Sequence, residues 1–193
     1  APPASQYETA QAEHRSLALT VEASGVIEPV RPAEIKSKAS GEILELGADT
    51  GDTVKRGALL VRIDPRTPRN RLDQAAAQLN AARARSTNAQ SQLDRGKKLL
   101  GNAWINQADY DKLVLDAATA ESEVVTARIA VDNSRISLDD TEVRAPSDGT
   151  ILYKKVERGQ VISSPTMDVG GGTLLMTMAD LSRVQARVRV DET

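Results

Sequence analysis

The side chains able to make or break bonds are few. Cysteine is absent, which removes a thiol nucleophile, a Cys-ligated zinc site and a disulfide framework. The single histidine, His14, stands in a polar N-terminal stretch with no Cys beside it, and reads as a solvated surface residue. Asp139, Asp140 and Glu142 bring three carboxylates close together, the material of general acid–base work. Sequence neighbours point in different directions, however, and these three sit where a helical pattern gives way to a strand. A solvated turn is the plainer reading. Gly170, Gly171 and Gly172 lack the Lys-Ser/Thr of a phosphate-binding loop and do not lead from a strand into a helix, so they read as a flexible loop. No catalytic constellation remains, and neither a cofactor nor a metal is expected. What remains is recognition chemistry. Leu99 and Trp104 form a small apolar patch beside Arg95, at the turn between two long helical patterns, and such patches mark interaction sites.

Those helical patterns organise the chain. In the first, Leu72, Leu79, Leu93 and Leu100 keep one seven-residue register, with Ser86 in the remaining place, while Ala75, Ala82, Ala89 and Gly96 keep a second. In the other, Ala117, Val124, Val131 and Leu138 form one register and Leu113, Ala120, Ala127 and Ser134 the other. A repeat kept for about four heptads on both sides, without Pro, predicts supercoiled helices. The connection from Gly101 to Asn106 is short, so the pair is antiparallel. At ~1.5 Å per residue each helix runs roughly 45–50 Å, too long for a compact domain of this size, and the hairpin is expected to protrude. Outside the seam Ala76, Ala77, Ala81 and Ala84 make a second small-residue surface on the first helix. It suits either simple helix propensity or close approach of a neighbouring helix.

Composition agrees with thin elements. Of 193 residues 2% are aromatic, none is Phe, and much of the 40% apolar content is Ala, too little bulk for a large globular core. The formal charge of −2 provides no basic field for a phosphate backbone, and nucleic acid is not an expected partner. No run of about 18 apolar residues and no signal-peptide core are present, so the stretch reads as a soluble or mature segment, with any membrane anchor upstream.

On either side of the hairpin lie two segments that repeat each other. Gly41, Ile43, Gly51, Val54, Gly57, Leu59-Leu60 and Asp64 are echoed by Gly149, Ile151, Gly159, Ile162, Gly172, Leu174-Leu175 and Asp180, and the first two glycines are equally spaced in both. Glycine at such places suits tight turns, and the apolar runs between them suit strands of a small flattened barrel or sandwich. The second copy is longer by Ser163 to Gly171. Two further alternating runs, Leu17 to Val21 and Val184 to Val190, read as half-buried strands, the first interrupted at Ser24-Gly25 before Val26-Ile27. They are expected to open and resume a β domain whose remainder lies outside this stretch.

The paired segments resemble the two halves of a lipoyl/biotinyl domain, and a helical hairpin inserted between them resembles the periplasmic adaptor, or membrane fusion, proteins of the HlyD/AcrA/MacA superfamily. The resemblance implies an elongated α+β fold. Its parts are a linker at 1–15, a partial β-barrel from 16–32 and 181–193, a lipoyl-like domain from 33–66 and 142–180, and an α-hairpin at 67–141 with its tip at 101–106. In true carriers the modified lysine sits on the turn joining the halves; here the hairpin replaces that turn, and no Asp-Lys-Ala or Met-Lys-Met occurs. A carrier domain is the alternative of another class. Adaptors that engage TolC-type channels carry Arg, Leu and Ser at a spacing that falls here on Arg95, Leu99 and Asn106, so the third position departs from the pattern. Physically Asn106 serves as an N-cap, with Ile105 and Tyr110 placed for a hydrophobic staple. Leu99, next to the seam residue Leu100, is expected to point outward. By resemblance the chain is a non-enzymatic adaptor in the periplasm, tethered to the inner membrane by an anchor outside this segment, and assembled as a ring of six. It would join an inner-membrane transporter to a TolC-like channel. A MacA-like branch with an ABC transporter is favoured, and an RND transporter is the alternative. The turn Val156 to Gln160 would then offer Arg158 and Gln160 to the channel lumen.

Overall fold

A computed structural model describes residue 11 and residues 24–164 and 172–189. His14, the run Leu17 to Val21, Gly170 and Gly171 lie outside them. In chain order the elements are β1 (Ser24–Pro29), β2 (Pro32–Lys36), β3 (Gly41–Leu46), β4 (Thr53–Val54), β5 (Leu59–Ile63), α1 (Arg66–Gly101) and α2 (Gln107–Asp139). There follow β6 (Glu142–Arg144), β7 (Gly149–Lys154), β8 (Val161–Ile162), β9 (Leu174–Ala179) and β10 (Val184–Arg189). The chain divides into two units, residues 29–183 and a smaller one made of residues 1–28 with 184–193.

In the smaller unit β1 pairs with β10. Ser24 and Gly25, expected to interrupt a strand, belong to β1; a Cβ on Gly25 would stand 2.8 Å from the Arg187 carbonyl oxygen, so close pairing requires a glycine there. Val184 and Val188 are about half exposed, where their alternation predicts a half-buried strand; among the described residues only β1 pairs with β10, and no second layer covers either face.

The larger unit holds two four-stranded antiparallel sheets, ordered β2-β9-β7-β4 and β6-β5-β3-β8. Each sheet takes two strands from each half of the repeat. Exchanging the halves converts one order into the other, so the sequence repeat is a spatial pseudo-twofold. The hydrogen bonds obey it: the Gly51 amide donates to the Ile151 carbonyl and the Gly159 amide to the Ile43 carbonyl, both at 2.8 Å. Likewise the Ile43 amide donates to Gln160 and the Ile151 amide to Asp52. Gly51 and Gly159 make these bonds at φ of 96° and 84°, a region open to glycine and costly to residues with a Cβ. Between the sheets Ile43, Leu60, Ile63, Ile151, Leu175, Met176 and Met178 are fully buried. Aliphatic and thioether side chains thus fill a thin core without any Phe.

Both half-motifs end on an aspartate that closes a local turn. The Asp64 carboxylate accepts the Arg66 amide and the Asp180 carboxylate accepts the Ser182 amide, in each case from two residues on. After Asp64 the chain enters α1; after Asp180 it leads toward β10. The Arg66 guanidinium also grips Asp64, with Nη2 2.6 Å from Oδ2, and these hydrogen bonds hold the Asp64 carboxyl below its ordinary 3.8. The folded carboxyl therefore stays ionised at acidities where the unfolded one takes up a proton. Its contribution is complete above the ordinary value and vanishes as pH falls through the lowered one. Asp64→Asn should accordingly flatten the loss of stability between about pH 5 and 2 in acid titrations of urea unfolding; parallel curves for parent and variant would contradict this.

At ~1.5 Å per residue α1 runs about 54 Å, and α2 returns antiparallel beside it. Along α1 the residues shielded from solvent include every member of both registers: Ala75, Leu79, Ala82 and Gly96 are buried, and Leu72, Ser86, Ala89, Leu93 and Leu100 half-buried. Along α2 Ala120 is buried, and Leu113, Ala117, Val124, Ala127, Val131, Ser134 and Leu138 are half-buried. Arg85 and Glu123, 3.2 Å apart, make the one ion pair between the helices among the described residues. At the base the buried Thr141 donates its hydroxyl to the Leu138 carbonyl and accepts the Ile63 amide, tying the end of α2 to β5. Asp140 caps α2 and lies 4.0 Å from Lys38, while Glu142 pairs with Arg144. These carboxylates are engaged in the turn at the base.

Candidate functional site at the hairpin tip

The tip is built by two helix ends. Helix α1 closes with the amide of Ala103 donating to the Leu100 carbonyl and that of Trp104 to the Leu99 carbonyl, the paired bonds of a Schellman ending. That ending places one residue in left-handed backbone, and here it is Ala103, at φ 58°. Glycine is usual at the position because a Cβ costs roughly 1–2 kcal/mol there. Ala103→Gly is therefore expected to stabilise the hairpin by about 0.5–1 kcal/mol in chemical denaturation, while a loss of stability would show that the Ala methyl packs usefully. Helix α2 begins at Asn106, whose Oδ1 accepts the Asp109 amide at 2.8 Å. The carboxamide caps the helix as a Ser hydroxyl would. Ile105 and Tyr110, on either side of the cap, are half-buried.

Between these ends Trp104 is 75% exposed, and Arg95 is exposed with no hydrogen bond or ion pair among the described residues. Leu99, expected to point outward, is half-buried and lines a cleft of about 500 Å³ with Arg95, Gly96, Ile105, Asp109 and Leu113. The tip thus combines an unpaired guanidinium, an exposed indole and an apolar-floored cleft on a cap-stabilised turn. No group of His, Cys, Asp and Glu that could hold a metal ion lies there among the described residues.

The other turn singled out in the sequence lies on the sandwich. Gln160 spends its Oε1 on the Glu157 amide, 3.0 Å away, just as Asp52 accepts the Asp49 amide in the pseudo-equivalent turn. Arg158 is exposed and makes no ion pair among the described residues.

One feature of α2 escaped the sequence reading. Leu115, Ile129 and Ile136 are 65%, 54% and 59% exposed, and with Ser122 they keep a third seven-residue register; Val125, 52% exposed, lies alongside. This stripe faces away from the seam, where a two-helix coil is ordinarily polar. The signal was present in the spacing, hidden because an apolar residue on a helix whose seam is also apolar reads as seam.

Residues 31–169 match the family described as RND MFP, barrel-sandwich hybrid domain. The chain is 33% identical over 172 residues to the multidrug efflux pump subunit AcrA of Escherichia coli K12, covering 89% of this chain and 42% of AcrA. It is 28% identical over 206 residues to the macrolide export protein MacA of Yersinia pestis, covering 100% of this chain and 54% of that protein. Among solved structures, a MacA-MexA chimera carrying the Pseudomonas aeruginosa MexA α-hairpin superposes with a TM-score of 0.58 at 28% identity, over 88% of this chain and 53% of the chimera. The chain thus spans about half the length of these relatives. Both AcrA and MacA are among them, so they do not single out the MacA-like branch that the resemblance favoured. No helix among the described residues is long and apolar enough to cross a membrane. The interlocked sandwich with its inserted hairpin and the match across most of the chain place it in the periplasmic adaptor, or membrane fusion protein, family of tripartite efflux pumps, whose members are adaptors and not enzymes.

Proposed function

We propose that this chain is the central part of an adaptor bridging an inner-membrane transporter and a TolC-like outer-membrane channel in the periplasm, with the hairpin tip as its channel-facing end. The observation that carries the reading is Trp104, the one tryptophan of the sequence, 75% exposed on the short loop that joins the helices, with Arg95 exposed close by. Arg95 supplies a charge-assisted donor, Leu99 the apolar floor, Trp104 an amphipathic contact, and Asn106 the cap that fixes the turn. Photo-crosslinking to a TolC-type channel from a probe at Trp104 tests it, and an equal yield from the exposed mid-hairpin site Thr87 would refute it.

For the transporter, an RND partner is the better supported reading: the matched family is the RND-type sandwich domain and the AcrA relative carries the higher identity. An ABC partner, favoured on the sequence alone, keeps as its support the MacA relative aligned over the whole chain. Co-purification with one transporter of each class separates the two.

The exposed α2 stripe supports a homo-oligomer, for which a ring of six is our reading. Helix α1 carries eight Lys or Arg against two Asp, and α2 carries seven Asp or Glu against three Lys or Arg. Packing α1 of one copy on α2 of the next joins opposite net charges, whereas α2 on α2 joins like ones. A head-to-tail contact of this kind closes into a ring where its rotation divides a full turn. The small outer residues of α1, Ala77, Ala81 and Ala84, would receive Leu115, Val125 and Ile129. Ile129→Asp should then shift the sedimenting species to monomer, and an oligomer that survives it would rule out this face. In the same assembly Arg158 is the candidate lumen residue, Gln160 being held within its own turn.

A further inference from the structure

Gly96 sits inside α1, five residues before the helix ends, where nothing in the backbone calls for glycine. Its place in the register is held by Ala at 75, 82 and 89, and an interior glycine weakens a helix relative to Ala. Its surroundings supply the reason. A Cβ on Gly96 would overlap Cδ1 of Leu113 and would stand 3.8 Å from Cδ1 of Ile105. Leu113 from α2 and Ile105 from the loop therefore both close upon the bare backbone of α1 at one point. Arg95 and Leu99, the preceding residue and the one a turn later, line the same cleft as Leu113.

We infer that Gly96 is a positioning residue for partner recognition: its missing side chain lets Leu113 cross the seam, and that crossing sets where Arg95 and Leu99 stand against α2. The inference rests on the reading of the tip as channel-facing. The overlapping atom is the far end of a flexible side chain, so Gly96→Ala turns Leu113 into the cleft or, where no such turn is open, pushes the helices apart. Both outcomes change the surface between Arg95 and Asp109 while the six or more layers of seam below remain as they are. The added methyl also improves helix propensity, so folding survives.

The chain has no cysteine, so Lys97→Cys and Asp111→Cys place a pair of nitroxide labels across the tip of the full chain without further changes. In Gly96→Ala the label distance should widen by about 1–2 Å, within the range helix separations take as contact side chains change size, or Leu113 should become accessible in side-chain NMR. Crosslinking to the channel from Trp104 should fall at least about tenfold. Gly96→Ala with Leu113→Ala removes the overlap and should restore the distance and bring crosslinking back to within about threefold of the parent. A merely destabilising methyl would not be rescued by deleting a second seam side chain. Unchanged distance and unchanged Leu113 accessibility in Gly96→Ala overturn the inference, as does a loss of crosslinking that the double variant fails to reverse. If the parent itself does not crosslink, the channel-facing reading fails, and the label and NMR measurements still decide the role of Gly96.

Discussion

Ile43→Ala and Ile151→Ala should each destabilise the sandwich by about 3 kcal/mol, and by nearly equal amounts. Both side chains are fully buried, at 0% and 1% exposure, on β3 and β7, which occupy equivalent places in the two interlocked sheets. Each loses the transfer energy of three carbons and leaves a void that a thin core cannot easily close. Their backbones are equivalent too: Ile43 accepts from Gly159 as Ile151 accepts from Gly51. Against a total stability of about 5–15 kcal/mol such a loss is severe, and urea unfolding would measure it. Unequal costs, differing by more than about 1.5 kcal/mol, would mean that the pseudo-twofold is a feature of the chain path and not of the packing.

The parts of the fold that were readable from sequence are those written in fixed spacings. Leu72 to Leu100 and Leu113 to Leu138 keep step because an antiparallel coil must present the same face at each turn. Gly51 and Gly159 recur at the same interval because both take a backbone conformation that tolerates little else. The exchange of strands between halves, by which β2 joins β9 and β3 joins β8, was not readable, since the partners are more than a hundred residues apart and no local pattern names them. At the site, the Asn106 cap follows from residue type and place. The half-burial of Leu99 does not, because register alone places it one residue off the seam and its cover comes from the cleft it shares with Ile105 and Leu113. The α2 stripe was missed for the opposite reason. Leu115, Ile129 and Ile136 carry a clear period, but a helix with two apolar faces has little amphipathic contrast, and the first face found absorbs the signal.

Arg95→Asp combined with Leu99→Ser should abolish channel contact at the hairpin tip while sparing the fold. Arg95 is exposed and unpaired, so reversing its charge breaks nothing within the hairpin. Leu99 is only half-buried, and its backbone bonds to Asn102 and Trp104 survive the change of side chain. At an interface centre, such anchors are worth about 2 kcal/mol or more each, and an introduced carboxylate adds repulsion wherever Arg95 met an acid. With a photoreactive probe at Trp104 in cells carrying a TolC-type channel and a cognate transporter, adaptor–channel crosslinks should fall at least about thirtyfold, with loss of efflux and an unchanged helical circular dichroism signal. Crosslinks and efflux at the parent level in that double variant, with the hairpin intact, would rule out the tip as the channel-facing end.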